Sequence, residues 1–151
     1  MIHVRTYEPN DEAFILGLAP RLTIGMRPWR DRQQWIAAAS GWLTGSIREH
    51  ERKTMVFVAE NEHGSRVGFA TVSRSTHFTG QTEAYIGELV TVEAAEGQGV
   101  GSALVKACEG WAREQGFALL TLTTGAANDR ALRFYHHLGF QNEEVKLTKL
   151  L

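Results

Sequence analysis

The spacing of hydrophobic positions switches between strand-like and helix-like periods along the first half of the chain. Residues 2–6 alternate apolar and polar side chains, which predicts a short strand, and helical spacing follows from Glu12 to about Leu18. Asp31 is placed to cap a second helix whose apolar side chains fall on one face. Residues 55–75 carry two strand-like runs around a turn signal, so they predict a β-hairpin.

The second half of the chain predicts strands joined by helical crossovers. Its elements are a strand over 84–92, a helix from Val100 to Trp111 stopped by Gly116, a strand over 117–123, a helix capped by Asn128 or Asp129 and ended by Gly139, and a last strand over 140–150. The order β-α-α-β-β-β-α-β-α-β predicts an α/β (α+β) fold with a mixed sheet. No repeat or linker divides the sequence, so residues 1–151 are predicted to form a single domain.

Composition narrows the classes of partner and compartment. Apolar residues make up 43% and charged residues 22% of the chain, as in ordinary globular domains. A net charge of -1 leaves no basic footprint for nucleic acid, and no apolar run is long enough for a membrane span. The lone Cys108 and the absence of an apolar signal core at the N-terminus favour a cytoplasmic location without disulfides.

A glycine-spaced turn, Glu96 to Ser102, stands at the junction of a predicted strand and a predicted helix. A helix N-terminus has unpaired backbone N–H groups and attracts anions, and Gly97, Gly99 and Gly101 would allow positive φ angles and close approach of a phosphate. The lysine of a P-loop is missing, and so is the third glycine of the dinucleotide fingerprint. On its own, the turn is consistent with either an anion site or a purely structural turn.

Two motifs in the second half resemble those of the GCN5-related N-acetyltransferase (GNAT) family. The acetyl-CoA motif of that family, Arg/Gln-x-x-Gly-x-Gly/Ala, is matched by Gly97-Gln98-Gly99-Val100-Gly101. Its pattern Asn-x-x-Ala-x-x-Phe-Tyr-x-x-x-Gly-Phe is matched over residues 128–140, in the family's order and spacing. The two matches cover about residues 84–140. Glu96 departs from the family pattern, which usually has Arg or Gln there, and we expect its carboxylate to face solvent.

The resemblance implies a GNAT-like acyl-CoA N-acyltransferase fold that moves an acetyl group from acetyl-CoA to a primary amine by direct attack in a ternary complex. It implies that the strand before the turn and the turn itself lend backbone amides to acetyl-CoA. The implied cofactor-binding residues are Leu89, Val90, Thr91, Val92, Gly97, Gln98, Gly99, Val100, Gly101, Ser102, Asn128, Arg130, Ala131 and Tyr135. Asn128 has two compatible roles, as a helix cap and as a contact to the pantetheine arm.

Two residues are candidates for proton transfer. The resemblance points to Tyr135 as general acid to the CoA sulfur, while its position beside other apolar residues also fits a core aromatic. Glu88 is a candidate base, since it alternates onto the side of Ile86 and Val90, and apolar surroundings would raise its pKa. A bulge would invert that alternation, and the alternative is that Glu88 is exposed or is paired with Arg74 or Lys106. A water chain ending at Glu88 or Glu83 is our hypothesis for the base.

The predicted acceptor site lies in the loops around residues 23–35 and 75–83. Its candidate residues are Arg27, Trp29, Arg30 and Phe78, which would form an aromatic-lined pocket able to grip an anionic group of the acceptor. Alternatively, the tryptophans anchor the core and the arginines are solvated. The six histidines show no ligand spacing, so no metal is expected. Cys108 sits within an apolar helical stripe, which disfavours an acyl-cysteine intermediate.

The predicted partners are a small-molecule amine or a protein amine, with no nucleic acid and no membrane, and a homodimer through the last strand is plausible from the resemblance. Two other functions stay open from the sequence. One is a non-catalytic acyl-CoA-binding or regulatory module, which Glu96 would favour and Tyr135 disfavour. The other is a nucleotide-binding domain, which the missing lysine and fingerprint weaken.

Overall fold

A computed structural model describes all residues, Met1–Leu151. The strands are β1 (His3–Thr6), β2 (Thr54–Glu60), β3 (Arg66–Thr76), β4 (Thr82–Thr91) and β5 (Leu120–Leu122). The helices are α1 (Glu12–Gly17), α2 (Arg32–Arg48), α3 (Val100–Glu114) and α4 (Asp129–His137), with short 3-10 segments at Pro9–Asp11, Ala19–Thr23 and Glu93–Ala95. No helix is both long and apolar enough to cross a membrane.

The five strands form one mixed sheet in the order β1-β2-β3-β4-β5. The first three pairings are antiparallel, and β4 pairs with β5 in parallel after the crossover through α3. The Asp31 carboxylate accepts a hydrogen bond from the Gln34 amide at 2.8 Å, so it caps α2 as predicted. The mixed sheet with helical crossovers predicted from the hydrophobic periods is confirmed.

Two layers of apolar side chains cover the two faces of the sheet. On one face α3 packs through Val100, Leu104 and Cys108 against the sheet. On the other face α1 and α2 pack through Ile15 and Leu43. Because both faces are buried, the alternation along each central strand decides which helix layer a side chain meets.

A β-bulge at Gly87 changes that alternation in β4. Thr71 pairs with Glu88 while Val72 pairs with Ile86, so Gly87 is an extra residue. Ile86 therefore belongs to the α3 face and Val90 to the α1/α2 face. The sequence-based expectation that Glu88 shares a side with both Ile86 and Val90 is wrong, because the bulge separates them.

The last predicted strand is not formed. Residues 141–151 have no regular secondary structure and every one of them is exposed, although Val145 and Leu147 alternate with polar residues. A strand requires a partner for its backbone hydrogen bonds, and no neighbouring strand pairs with this segment. The predicted order β-α-α-β-β-β-α-β-α-β therefore lacks its final β, and β5 is shorter than the predicted 117–123.

Candidate active site

A large cleft opens where the pairing of β4 with β5 ends. The last parallel pair is Ile86 with Leu122, and β4 continues to Thr91 without a partner on that side. The cleft has a volume of about 2260 Å³ and is lined by the second half of β4, the glycine turn and α4.

The glycine turn presents unpaired backbone N–H groups to this cleft. Gly97 and Gly99 have φ angles of 76° and 84°, a left-handed conformation that favours glycine. The Gln98 amide donates to the Ala95 carbonyl at 3.3 Å, and the Ala103 amide closes the first turn of α3 on Gly99. The amides of Gly97 and of residues 99–102 have no protein acceptor. The turn therefore has the donors that an anion needs, with Gln98 already engaged.

Gly101 has a different role from the one its spacing suggested. Its φ is not positive, and a Cβ built on it would lie 2.9 Å from Cζ of Phe134. The missing side chain therefore lets α4 dock on the first turn of α3. A Cβ on Gly68 of β3 would lie 2.8 Å from Val100 Cγ1, so this second glycine lets the same end of α3 approach the sheet.

Glu96 is not a free, solvated carboxylate as the sequence predicted, although its side chain stays 29% exposed. Its carboxylate accepts hydrogen bonds from Arg21, in the Ala19–Thr23 segment, and from Arg130 in α4. The hydrogen bonds from Arg130 and then Arg21 lower the pKa of Glu96. The position therefore holds a stably ionised carboxylate that is already matched by two guanidinium groups, because opposite charges at contact favour ionisation.

The end of β4 offers its backbone edge to the cleft. Leu89, Val90 and Thr91 pair with β3 on one side and have no strand on the other. The Val92 amide, in contrast, donates to the Val67 carbonyl at 2.9 Å, so it is engaged within the fold. Three of the four predicted backbone positions thus lie on a strand edge that faces no other strand.

Glu88 is buried against Thr71 across the β3–β4 pair. The Thr71 hydroxyl donates to Glu88 Oε2, and Thr71 Oγ1 in turn accepts a hydrogen bond from the Glu88 backbone amide at 3.1 Å. Burial raises the pKa of Glu88, and the hydrogen bond from Thr71 opposes part of that rise. Glu88 contacts neither Arg74 nor Lys106, the basic partners that were the alternative. It lines the cleft as a desolvated carboxyl group.

Tyr135 lines the same cleft from α4. Its ring makes edge contacts with Phe134 and Phe140, at 5.1 and 5.5 Å between ring centroids. Burial raises the pKa of Tyr135 to about 12, so its phenol keeps its proton at neutral pH. The Asn128 side chain caps α4 by accepting from the Ala131 amide at 3.1 Å, which fixes the helix on which Tyr135 and Arg130 are carried.

The predicted acceptor residues all line the cleft. The Arg27 guanidinium stacks over the Trp29 ring at 5.0 Å, while Trp29 is 37% and Phe78 87% exposed, so neither aromatic is a core anchor. Arg30 is exposed and lines the same cleft. Gly25 touches Asn128, since a Cβ on Gly25 would lie 2.8 Å from Asn128 Cβ. This contact brings the acceptor loop to the cap of α4.

Three site features have no sequence signal. Arg21, Thr71 and the bulge at Gly87 act through partners that are 17 to 75 residues away in the chain. Periodicity and motif spacing report on neighbours in sequence, so they cannot reveal these pairings. No group of three or more His, Cys, Asp or Glu side chains is arranged to hold a metal.

Comparisons with known proteins agree on one family. The model of the acetyltransferase (GNAT) family matches residues 11–140. The chain is 27% identical to an aminoglycoside N(6')-acetyltransferase type 1 of Serratia marcescens, over 73% of this chain and 85% of the relative. It is 32% identical to the Klebsiella aerogenes protein of the same name, over 67% of this chain and 79% of the relative. A putative acetyl transferase from Pyrococcus furiosus superposes over the full length of both chains with a TM-score of 0.80 at 20% identity.

Proposed function

Because the chain belongs to the acetyltransferase (GNAT) family, we propose that its cleft carries out the family's acetyl transfer to an amine with Tyr135 and Glu88 as the two proton-handling residues. Membership makes the chain an acetyl-CoA-dependent N-acetyltransferase. The observation that carries the assignment of residues is that a desolvated carboxyl and a protonated phenol line one cleft beside unpaired backbone amides.

The donor set of the cleft fits acetyl-CoA, which supplies an activated acetyl group when bound. The unpaired amides of Gly97 and residues 99–102 would hold its pyrophosphate, since they stand at a helix N-terminus. The free edge of β4 at residues 89–91 would hold the pantetheine arm. Asn128, Arg130 and Ala131 lie at the start of α4 on the opposite wall.

Glu88 and Tyr135 divide the proton transfers between them. An amine must lose its proton before it attacks, and the raised pKa of the Glu88 carboxylate suits a group that accepts this proton, directly or through water. Tyr135 holds its proton on the phenolic oxygen for the leaving sulfur. Burial raises the pKa of Cys108 to about 12, and the side chain is fully buried, which supports direct attack over an acyl-cysteine route.

The acceptor is an amine, and we propose a small-molecule amine held by Arg27, Trp29, Arg30 and Phe78. Support comes from the position of these four side chains on the cleft wall. The two curated relatives are named aminoglycoside acetyltransferases, so amino sugars are the first acceptor class to test. Peptides with a free N-terminus or a lysine are the alternative acceptors.

An acceptor panel with thiol-release detection tests this function. We expect acetyl-CoA-dependent release of thiol with at least one amino-sugar acceptor and thermal stabilisation by CoA and acetyl-CoA. Stabilisation by acetyl-CoA without thiol release for any acceptor would favour a non-catalytic acyl-CoA-binding module. Stabilisation by ATP alone would contradict the proposal.

Two further properties stay predictions of the sequence. We propose that residues 1–151 form one domain, since both apolar layers pack on the same sheet. A homodimer would use the exposed apolar side chains of the tail, residues 141–151. Light scattering of the full chain, with and without this tail, measures the second property.

A further inference from the structure

Glu96 joins two arginines that come from distant parts of the chain. Arg21 lies in the Ala19–Thr23 segment and donates to Glu96 Oε1, and Arg130 lies in the first turn of α4 and donates to Oε2. Glu96 immediately precedes Gly97, the first glycine of the turn. The ion pairs therefore hold both guanidinium groups at the carboxylate of the residue that precedes the turn.

The arginines keep donors that Glu96 does not use. Arginine stays protonated and has five N–H donors, so two guanidinium groups facing one carboxylate leave an excess positive charge. Arg21 Nε is buried and has no acceptor, so this atom is not itself within reach of a ligand. Arg130 uses only Nη1 and is 65% exposed, so its other N–H groups are accessible to an incoming anion.

We propose that Arg21 and Arg130 bind the pyrophosphate of CoA and that Glu96 positions both guanidinium groups for it. The proposal rests on the proposed function, because it concerns the same cleft. Two arginines drawn from other elements take the place of the single Arg or Gln that is usual here in similar proteins.

The position of the ion pairs of Glu96 with Arg21 and Arg130 favours the pyrophosphate over the other groups of CoA. Glu96 is joined through the backbone to Gly97, and the amides of Gly97 and residues 99–102 follow it directly. We expect an anion bound by those amides to contact the guanidinium groups as well. Planar guanidinium groups match the oxygens of phosphate with paired hydrogen bonds.

Calorimetric titration with CoA, 3'-dephospho-CoA and pantetheine tests the arginines. Arg21→Gln and Arg130→Gln should each weaken CoA and dephospho-CoA about tenfold, the effect of losing one charged hydrogen bond, and leave pantetheine unchanged. Arg52→Gln, an exposed arginine outside the cleft, is the matched control and should bind as wild type. A loss for CoA but not for dephospho-CoA would assign the arginines to the 3'-phosphate and overturn the proposal.

Glu96→Ala tests the positioning role. Removing a negative charge near a phosphate would by itself tighten binding. If Glu96 positions the two arginines, losing its ion pairs should instead weaken the affinity for CoA about threefold to tenfold. In the Glu96→Ala background, Arg21→Gln should cost less than in wild type, since the two residues act together. Tighter CoA binding by Glu96→Ala would contradict the positioning role.

The experiment distinguishes a variant that fails to fold from a failure of the proposed function. Arg130 is largely exposed, so Arg130→Gln tests the proposal even if Arg21→Gln fails to fold. If wild type binds none of the three ligands, the proposed function fails. If wild type binds CoA and both arginine variants bind it equally well, the function stands and this inference is overturned.

Discussion

The Thr71 hydroxyl donates a hydrogen bond to the Glu88 carboxylate, whose pKa sets the pH at which the proposed base works. Burial raises the pKa of Glu88 above the ordinary glutamate value of about 4.3, and the hydrogen bond from Thr71 stabilises the ionised form. Since a base acts when deprotonated, kcat/KM should rise as the pH passes upward through this raised pKa.

Thr71→Val should move the acid limb of the pH–kcat/KM profile to higher pH, because the ionised carboxylate loses its hydrogen bond. The variant keeps the side-chain shape but leaves the Glu88 amide without its acceptor, so unfolding free energy should fall by about 1–3 kcal/mol. Glu88→Gln should abolish the limb altogether. An unchanged profile in Glu88→Gln would remove Glu88 from the mechanism.

Tyr135→Phe should lower kcat by about 10²–10⁴ while CoA affinity stays as in wild type, since only a proton donor is lost. The pKa of Tyr135 is about 12, so its deprotonation should not reduce the wild-type rate at any pH below that range. Tyr85→Phe, a second tyrosine of the cleft, is the control and should keep its activity. Equal rates for Tyr135→Phe and wild type would leave Tyr135 as a packing residue.

At the scale of elements, the docking of α4 on α3 depends on one missing Cβ. Gly101→Ala would place a Cβ 2.9 Å from the Phe134 ring, and such overpacking should cost about 1–3 kcal/mol of unfolding free energy. Gly110→Ala, on the same helix with nothing within 4 Å, should instead stabilise by about 0.4–1 kcal/mol. Urea unfolding of the two variants measures the difference.

Gly101→Ala should also weaken CoA binding, because α4 carries Asn128 and Arg130 on the cleft wall. Gly110→Ala should bind CoA as wild type does. If both variants were stabilised alike, the close contact between Gly101 and Phe134 would not hold α4 in place.

The helices and the first strands follow from the hydrophobic period because their signals are local. Asp31 and Asn128 cap their helices through amides three residues away, and Gly116 and Gly139 have the positive φ expected just after a helix. The bulge at Gly87 and the missing last strand depend instead on a partner strand. Alternation along residues 140–150 shows that a strand is compatible with the sequence, and only pairing would form one.

At the scale of the whole molecule, one buried carboxylate joins the start of α1 to two strands of the sheet. Asp11 is fully buried and accepts from Arg5 of β1 at 2.7 and 2.9 Å and from Arg66 of β3 at 2.6 Å. It also accepts from the Glu8 amide at 2.8 Å. The cluster fixes the start of α1 against β1 and β3.

Asp11→Asn should cost about 2–3 kcal/mol of unfolding free energy at pH 7, because it leaves two guanidinium groups with a neutral partner, although both retain some exposure to water. Burial opposes ionisation of Asp11, but the hydrogen bonds from Arg5 and Arg66 outweigh it and hold its pKa well below the usual range. A depressed carboxyl pKa stabilises the fold above the unfolded-state value of about 3.9 and stops doing so as pH falls through the folded-state value.

The difference in unfolding free energy between wild type and Asp11→Asn should therefore be largest near pH 7 and decrease progressively below about pH 4. Urea unfolding at a series of pH values from 7 to 2 measures it. Asp31→Asn is the matched control, because Asn caps a helix as well as Asp does and this side chain is exposed. A gap that stayed constant down to pH 2 would mean that packing around Asp11, and not its charge, holds these three segments together.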